Sequence, residues 1–288
     1  MVITQVVLDW LHLFVFTVAV GMLLHEVGLI SLGLTGTLLG GAYAVALASL
    51  GHLPPSLGVL AVSLLATAQA AAALRVRQEV FAVVTLAGAI ILHRTVVAAV
   101  PWTGGSLGLG PLPRPDWLAA DEGALAVGAG TAGLVAVAYL AAGHSTVFLR
   151  LGAIRDHELS AEMRRIAVGW WRAGAVLVAG VVGALVGSLQ AMYFGLVTPQ
   201  LGVLDVSLQA LAAAMLARPA WRQGRPGMAL VGYAITSAVL TLMPVLLRQL
   251  LPGSVQEALL RQALFGSVLY ALAHPRVQAW LAPPGGRS

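Results

Sequence analysis

Lysine is absent from this chain of 288 residues, and all 16 of its basic residues are arginine. A phosphate-binding P-loop reaches the β- and γ-phosphates with a lysine, so that loop is excluded. If the protein works with ATP, another chain must hydrolyse it. Cysteine is absent as well, which excludes thiol nucleophiles, thiolate metal sites and disulfides and leaves the redox compartment undetermined. Charge is scarce: Asp, Glu, Lys and Arg make up 9% of the chain, where a soluble domain carries about a quarter. With 59% hydrophobic residues and a mean hydropathy of +0.91, most of the outer surface must face lipid rather than water. The first 20 residues lack a basic segment and a small-x-small cleavage site. They read as a retained first helix, not a signal peptide.

Apolar runs fall at about 5–24, 30–50, 56–74, 80–100, 121–143, 166–190, 203–217, 227–250 and 256–273. A run of roughly 20 residues crosses a hydrocarbon core of ~30 Å. Stretches such as Ala175–Leu189 do not alternate polar with apolar, so helices rather than barrel strands are expected. The expected fold is all-α and polytopic, with about nine (8–10) transmembrane helices. The 203–217 run is short for a full span and suits a tilted helix, or half of a broken one beside a cavity. Gly36-x-x-x-Gly40 and Gly183-x-x-x-Gly187 allow helices to pack closely.

Arginine placement sets the orientation. Arg75 and Arg77 share one loop; Arg150, Arg155, Arg164 and Arg165 share a second. Arg218, Arg222 and Arg225 share a third, and Arg276 and Arg287 lie in the tail. An even number of spans separates successive clusters, so all four fit on the cytoplasmic side. The opposite side receives 51–55, 101–122, 198–205 and 252–256, where Arg114 stands among Asp116, Asp121, Glu122 and Asp205. The first two or three segments contain no basic residue and are not oriented by this rule.

The residues offer little chemistry. The seven histidines, His12, His25, His52, His93, His144, His157 and His274, are not spaced as metal ligands on one helical face. Most sit at expected helix ends, where a histidine snorkels to the interface. Ser31, Ser63, Ser188 and Ser207 lack a Gly-x-Ser-x-Gly elbow to pair with His25 or His93. Charges within the spans are Asp9, Glu26, Arg94, Asp205 and Arg248. Glu26 stands out beside the glycine-rich Gly28–Gly41 stretch and reads first as an interfacial carboxylate, second as a proton-coupling group. The longest polar stretch contains Gly152–Ile166. At helical spacing its Arg155, Glu158, Glu162 and Arg165 form one charged stripe, opposite Ile154, Ala161 and Ile166. Such a helix can lie along the cytoplasmic face, either as a plain solvated loop element or as a docking element.

Four motifs in order bring a resemblance. Gly28-Leu29-Ile30-Ser31-Leu32-Gly33 with Gly41-Ala42-Tyr43 is similar to "GxxSLGHAAF…GAY". Leu74-Arg75-Val76-Arg77 with Phe81–Leu86 is similar to "LRLRGxYFAIVTL", Thr103–Leu109 to "TGGxxGL", and Ala153–Glu158 with Ala161 to "AIRDNExxA". Over about residues 15–275 the chain resembles the LivM-type permease subunit of branched-chain amino acid ABC importers. The resemblance implies an ABC importer permease fold: one transmembrane domain over 1–275, with a cytoplasmic coupling segment at 150–166 and a short cytoplasmic tail at 276–288. It implies that Ala153, Ile154, Arg155, Asp156, Glu158 and Ala161 couple to an ATPase, with Glu158 as the key polar contact. Gly28, Ser31, Gly33, Gly41, Tyr43 and Thr85 would lie near the translocation path, and Thr103, Gly104 and Gly105 on the binding-protein side. The implied partners are a second homologous permease, two ATP-binding cassette ATPase subunits, an extracytoplasmic substrate-binding protein and membrane lipid, with no nucleic acid. No catalytic residue, metal or cofactor is implied. The implied function is ATP-driven import of branched-chain or other apolar amino acids across the cytoplasmic membrane by alternating access. A permease for urea or short amides, a self-sufficient ion-coupled carrier and a non-transporting scaffold are the alternatives. The pattern departs at Leu34, Gln78 and Arg165, where the family has histidine, glycine and glycine. It departs again at 216–224, where only Gly224 survives of "GGxGSxxGP".

Overall fold

The computed structural model describes residues 2–76, 78–114, 118, 120–202, 204–217, 225–250 and 267. All of its regular elements are helices. They are α1 Val2–Gly21, α2 Leu34–Ser49, α3 Pro55–Arg75, α4 Gln78–Ala98, α5 Val100–Thr103, α6 Asp121–Gly143, α7 Thr146–Asp156, α8 Glu158–Met163, α9 Val168–Phe194, α10 Leu204–Leu216 and α11 Pro226–Leu250. Six helices among the described residues are long and apolar enough to cross a membrane: α1 with its extension to Val27, α3, α4, α6, α9 and α11.

Among the described residues the count thus falls short of the expected nine. The 30–50 run is not one helix. α1 ends in a π-helical turn, Met22–Val27, capped by Gly28 at φ 79°, and residues 28–33 are non-helical. α2 then has 16 residues, about 24 Å at 1.5 Å per residue, which is short of the ~30 Å core. α10 has 13 residues and is shorter still. The run at 256–273 lies outside the described residues, apart from Ser267.

Non-helical backbone at membrane depth needs hydrogen-bond partners from the protein. The 28–33 segment has them. Gln69 Nε2 donates to the Gly33 carbonyl at 2.8 Å, and Ser207 Oγ donates to the Leu32 carbonyl at 3.0 Å. Helix ends follow equally local rules. The Ser145 hydroxyl accepts from the Val147 amide at the start of α7, and Gly195 at φ 64° ends α9.

Burial separates core from rim. Of the extended α1 span 67% is buried and of α9 50%, against 22% for α3, α4 and α6. α2 lies against α9 with its backbone almost in contact. A Cβ on Gly41 would sit 2.1 Å from the Ala184 carbonyl oxygen, and one on Gly187 would sit 1.9 Å from that of Leu38. The small-residue motif of α9 thus makes this crossing. Gly36 and Gly40 of α2 instead face Ala89 on α4 and Leu65 on α3.

The described arginines of the first three clusters, Arg75, Arg150, Arg155, Arg164, Arg165 and Arg225, gather at one end, and the tail cluster lies outside the described residues. Arg75 shares a cavity with Glu158, Glu162 and Arg172, and Gly143 abuts Pro226. At the other end Leu109 pairs with Val197, and Arg114 donates to the Phe194 carbonyl. Thr4 Oγ1 donates to Asp121 there at 3.1 Å, which orients α1 with its start outside. With the arginine-rich end in the cytoplasm, Ser106 and Ser160 lie on opposite sides, and both are exposed. Single cysteines at these positions face no background thiol. We expect Ser106→Cys to react with an impermeant maleimide on intact cells, and Ser160→Cys only after permeabilisation. The reverse pattern would invert the topology.

Candidate functional site

At the arginine-rich end the 152–166 segment is two helices, not one. His157, in extended conformation (φ −151°, ψ 93°), separates α7 from α8. The expected single stripe is thereby broken. Arg155 pairs with Asp156 at 2.8 Å and donates to the carbonyl of His25 in the π turn. Glu158 instead receives both terminal nitrogens of Arg172 on α9, at 2.7 and 3.0 Å. The Arg172 side chain is 7% exposed and that of Glu158 is 50%. Ile154 and Ala161 are buried with Val168, and Arg150 stacks over the Trp171 ring at 5.1 Å. Ala153 is half-buried and Asp156 is exposed. Two charge-assisted contacts thus tie the segment to α1 and α9. α8 closes with the Ile166 amide donating to Ala161 and Arg165 held at φ 59°. That backbone favours glycine, the residue of the family pattern. Arginine adopts it here at a cost of about 1–2 kcal/mol.

At the end of the α1 span that meets the 152–166 segment, His25 and Glu26 are buried between helices. His25 Nδ1 and the Tyr233 hydroxyl share a hydrogen bond of 2.8 Å, and the Tyr139 hydroxyl donates to Glu26 Oε1 at 3.0 Å. The two tyrosine rings meet edge to face at 6.1 Å. Gly21 makes room for Tyr233, since a Cβ there would lie 2.7 Å from the tyrosine oxygen. Of the residues expected near the path, Gly33 meets Thr85, with a built Cβ 2.2 Å from its carbonyl oxygen, and Gly41 meets α9. Ser31 and Tyr43 are buried, and neither hydroxyl has a partner among the described residues. These positions are close-packed.

At the outer end Thr103 is buried and donates to the Val96 carbonyl at 2.6 Å. Gly104 and Gly105 turn the chain at φ 68° and 60°. They form the frame of the loop, and its surface is carried by Trp102 and Leu107, 58% and 87% exposed. Between α1, α9, α10 and α11 lies a cavity of about 650 Å³ lined by Asp9, His12, Gln190, Asp205, Gln209 and Thr241, with Phe16 and Leu38 among its apolar walls. α10, the short helix, contributes Asp205 and Gln209, so it does stand beside a cavity. None of the six residues expected near the path lines this one. Asp9 and His12 were readable as neighbours one turn apart on a helix. Arg172 was readable as a lone ion near the start of an apolar run. Their partners on distant helices left no local signal. Among the described residues no three His, Asp or Glu side chains converge as metal ligands.

The chain therefore has an exposed apolar rim, a tightly packed core, a polar cavity at one end and, at the arginine-rich end, an element tied to two long apolar helices. The family model for the branched-chain amino acid transport system permease component matches residues 8–273. No curated protein and no solved structure matches. That match spans nearly every described helix, and the chain belongs to this permease family.

Proposed function

We propose that the protein is the LivM-type subunit of an ABC importer for branched-chain or other apolar amino acids, resident in the cytoplasmic membrane. It would work with a second homologous permease, two ATPase subunits and an extracytoplasmic binding protein. The observation that carries this reading is the double attachment of the cytoplasmic segment. A docking element passes force only if it is tied to the helices it must move, and α7 holds α1 through Arg155 while α8 holds α9 through Glu158. The binding protein would meet the outer loop through Trp102 and Leu107. The buried His25 and Glu26 network favours a second reading, an ion-coupled carrier, because ionisable groups buried between membrane helices mark proton paths.

Reconstitution separates the two. The chain has no lysine for a P-loop, so the purified subunit alone should take up no leucine above empty liposomes, with or without a pH gradient. Uptake should appear with the companion permease, ATPase and binding protein, and should need ATP. Gradient-driven uptake by the subunit alone would replace the importer reading with the carrier.

A further inference from the structure

Beside the arginine-rich end a groove of about 440 Å³ runs along α9, between α6 and α7. Its walls include Met22 of the π turn, Phe148 of α7, and Trp170, Trp171, Gly174 and Val178 of α9. No acidic, basic or amide side chain lines it. The trough is open at its centre, where a Cβ built on Gly174 meets nothing within 4 Å. From Trp170 to Val178 helix α9 rises about 12 Å, so the groove follows the first part of a helix able to cross a membrane.

The end of this apolar trough is basic. Arg150 is exposed, and its guanidinium lies 5.1 Å from the centre of the Trp171 ring. The neighbouring carboxylates of Asp156 and Glu158 are taken by Arg155 and Arg172. Arg225 precedes Pro226, which abuts Gly143 beside Phe148. Hydrocarbon walls under a cation fit an amphiphile with an anionic head. A non-helical peptide laid in the trough would bury N–H and C=O groups without partners, which is costly, whereas an acyl chain has no such groups. A guanidinium meets a phosphate through two parallel hydrogen bonds, and tryptophans favour the level of the lipid headgroups. A zwitterionic headgroup brings its own cation toward the arginines, and an anionic one does not.

We propose that this groove binds one anionic phospholipid, with an acyl chain along Trp170–Val178 and the headgroup phosphate on Arg150. A lipid held there spans the π turn, α7 and α9, so it braces the contact that Arg155 makes between α7 and the His25 carbonyl. Such a site serves an importer and a carrier alike.

The purified full chain in detergent micelles is given equimolar dioleoyl phosphatidylglycerol and dioleoyl phosphatidylcholine, and bound lipid is counted by native mass spectrometry. One phosphatidylglycerol should be retained in roughly fivefold preference, about the worth of one basic residue at a membrane surface. Arg150→Gln should remove that preference. Arg75→Gln, in a different cavity, should leave it. Gly174→Leu extends into the open trough and should lower retention roughly tenfold, because the chain loses its apolar contact. Equal retention of the two lipids by the parent, or a preference that survives Arg150→Gln, would overturn the proposal. So would equal loss with Arg75→Gln, which means diffuse attraction, or an adduct untouched by Gly174→Leu. If Gly174→Leu instead releases a copurifying permease chain and keeps the lipid, the groove belongs to a protein helix and the proposal falls. Should Gly174→Leu fail to fold, the two arginine variants decide. Uptake is not measured, so failure of the importer test leaves this one standing.

Discussion

Gly187→Ala should lower the apparent melting midpoint of the purified protein by roughly 6–12 °C, while Gly174→Ala on the same helix leaves it unchanged or slightly higher. The two substitutions add the same methyl group to α9. At 187 the methyl carbon would lie 1.9 Å from the carbonyl oxygen of Leu38, whereas at 174 nothing lies within 4 Å. Overpacking a core costs about 1–3 kcal/mol when side chains can move aside. The obstacle at 187 is backbone of a buried helix, which cannot rotate away, so about 3 kcal/mol or more is expected; each kcal/mol is worth about 2–4 °C in a chain of this size. Gly41→Ala should behave like Gly187→Ala, because its methyl would strike Ala184 from the other side of the same crossing. Size-exclusion chromatography after brief heating reads all three. Equal midpoints for the 187 and 174 variants would show that α2 and α9 do not cross at these glycines.

Glu158→Ala should both loosen the fold and disconnect the ATPase. The carboxylate holds Arg172, which is almost fully buried, and removing one partner of a buried pair leaves a charge without compensation. Glu158 is half in solvent, so the loss is nearer 2–3 kcal/mol than the 3–5 kcal/mol of a fully buried pair. Exposed Glu162 gives the comparison: Glu162→Ala should cost at most ~1 kcal/mol. Stability alone would not distinguish a docking element from a well-tied loop. Exchanging the charges does, with Glu158→Arg and Arg172→Glu combined. The exchange restores an internal pair but reverses the charge offered to the cytoplasm. If α8 docks on the ATPase, the exchanged protein should regain its melting midpoint and still fail to copurify the ATPase. Recovery of both would make the pair purely internal and remove Glu158 from the coupling contact.

How much could be read in advance depends on how far each determinant reaches along the chain. Sparse charge and long apolar runs act within one segment, and they gave the membrane helices and the common end of the described arginines. Gly28 and Gly33 marked a break that the hydropathy of 30–50 hid, because six non-helical residues can be as apolar as a helix. The charged stripe failed at His157. Helical spacing predicts neighbours only where the helix is continuous, and one extended residue sent Arg155 toward α1 and Glu158 toward α9. The outer cavity was the least legible feature, since Asp9 and Asp205 are 196 positions apart and no periodicity relates them. The burial of His25 was hidden for the same reason: His25 and Tyr233 are 208 positions apart, and a polar group is buried without penalty only when such a partner is there to receive it.

The π turn at Met22–Val27 makes chain length, as well as residue identity, a quantity that aims His25 and Glu26. A π turn is wound with i→i+5 hydrogen bonds rather than i→i+4, so the side chains within Met22–Val27 point in other directions than an α-helix of 3.6 residues per turn would give them. That winding lets His25 reach Tyr233 while Glu26, the very next residue, reaches Tyr139. It also turns the His25 carbonyl toward Arg155, since an amide bonded five residues back leaves the local carbonyls less fully engaged than an α-helix would. Losing one residue from this turn would restore ordinary winding and swing both side chains off their partners with the composition of the turn otherwise kept. In this stretch the number of residues in the turn sets the geometry as much as their identity does.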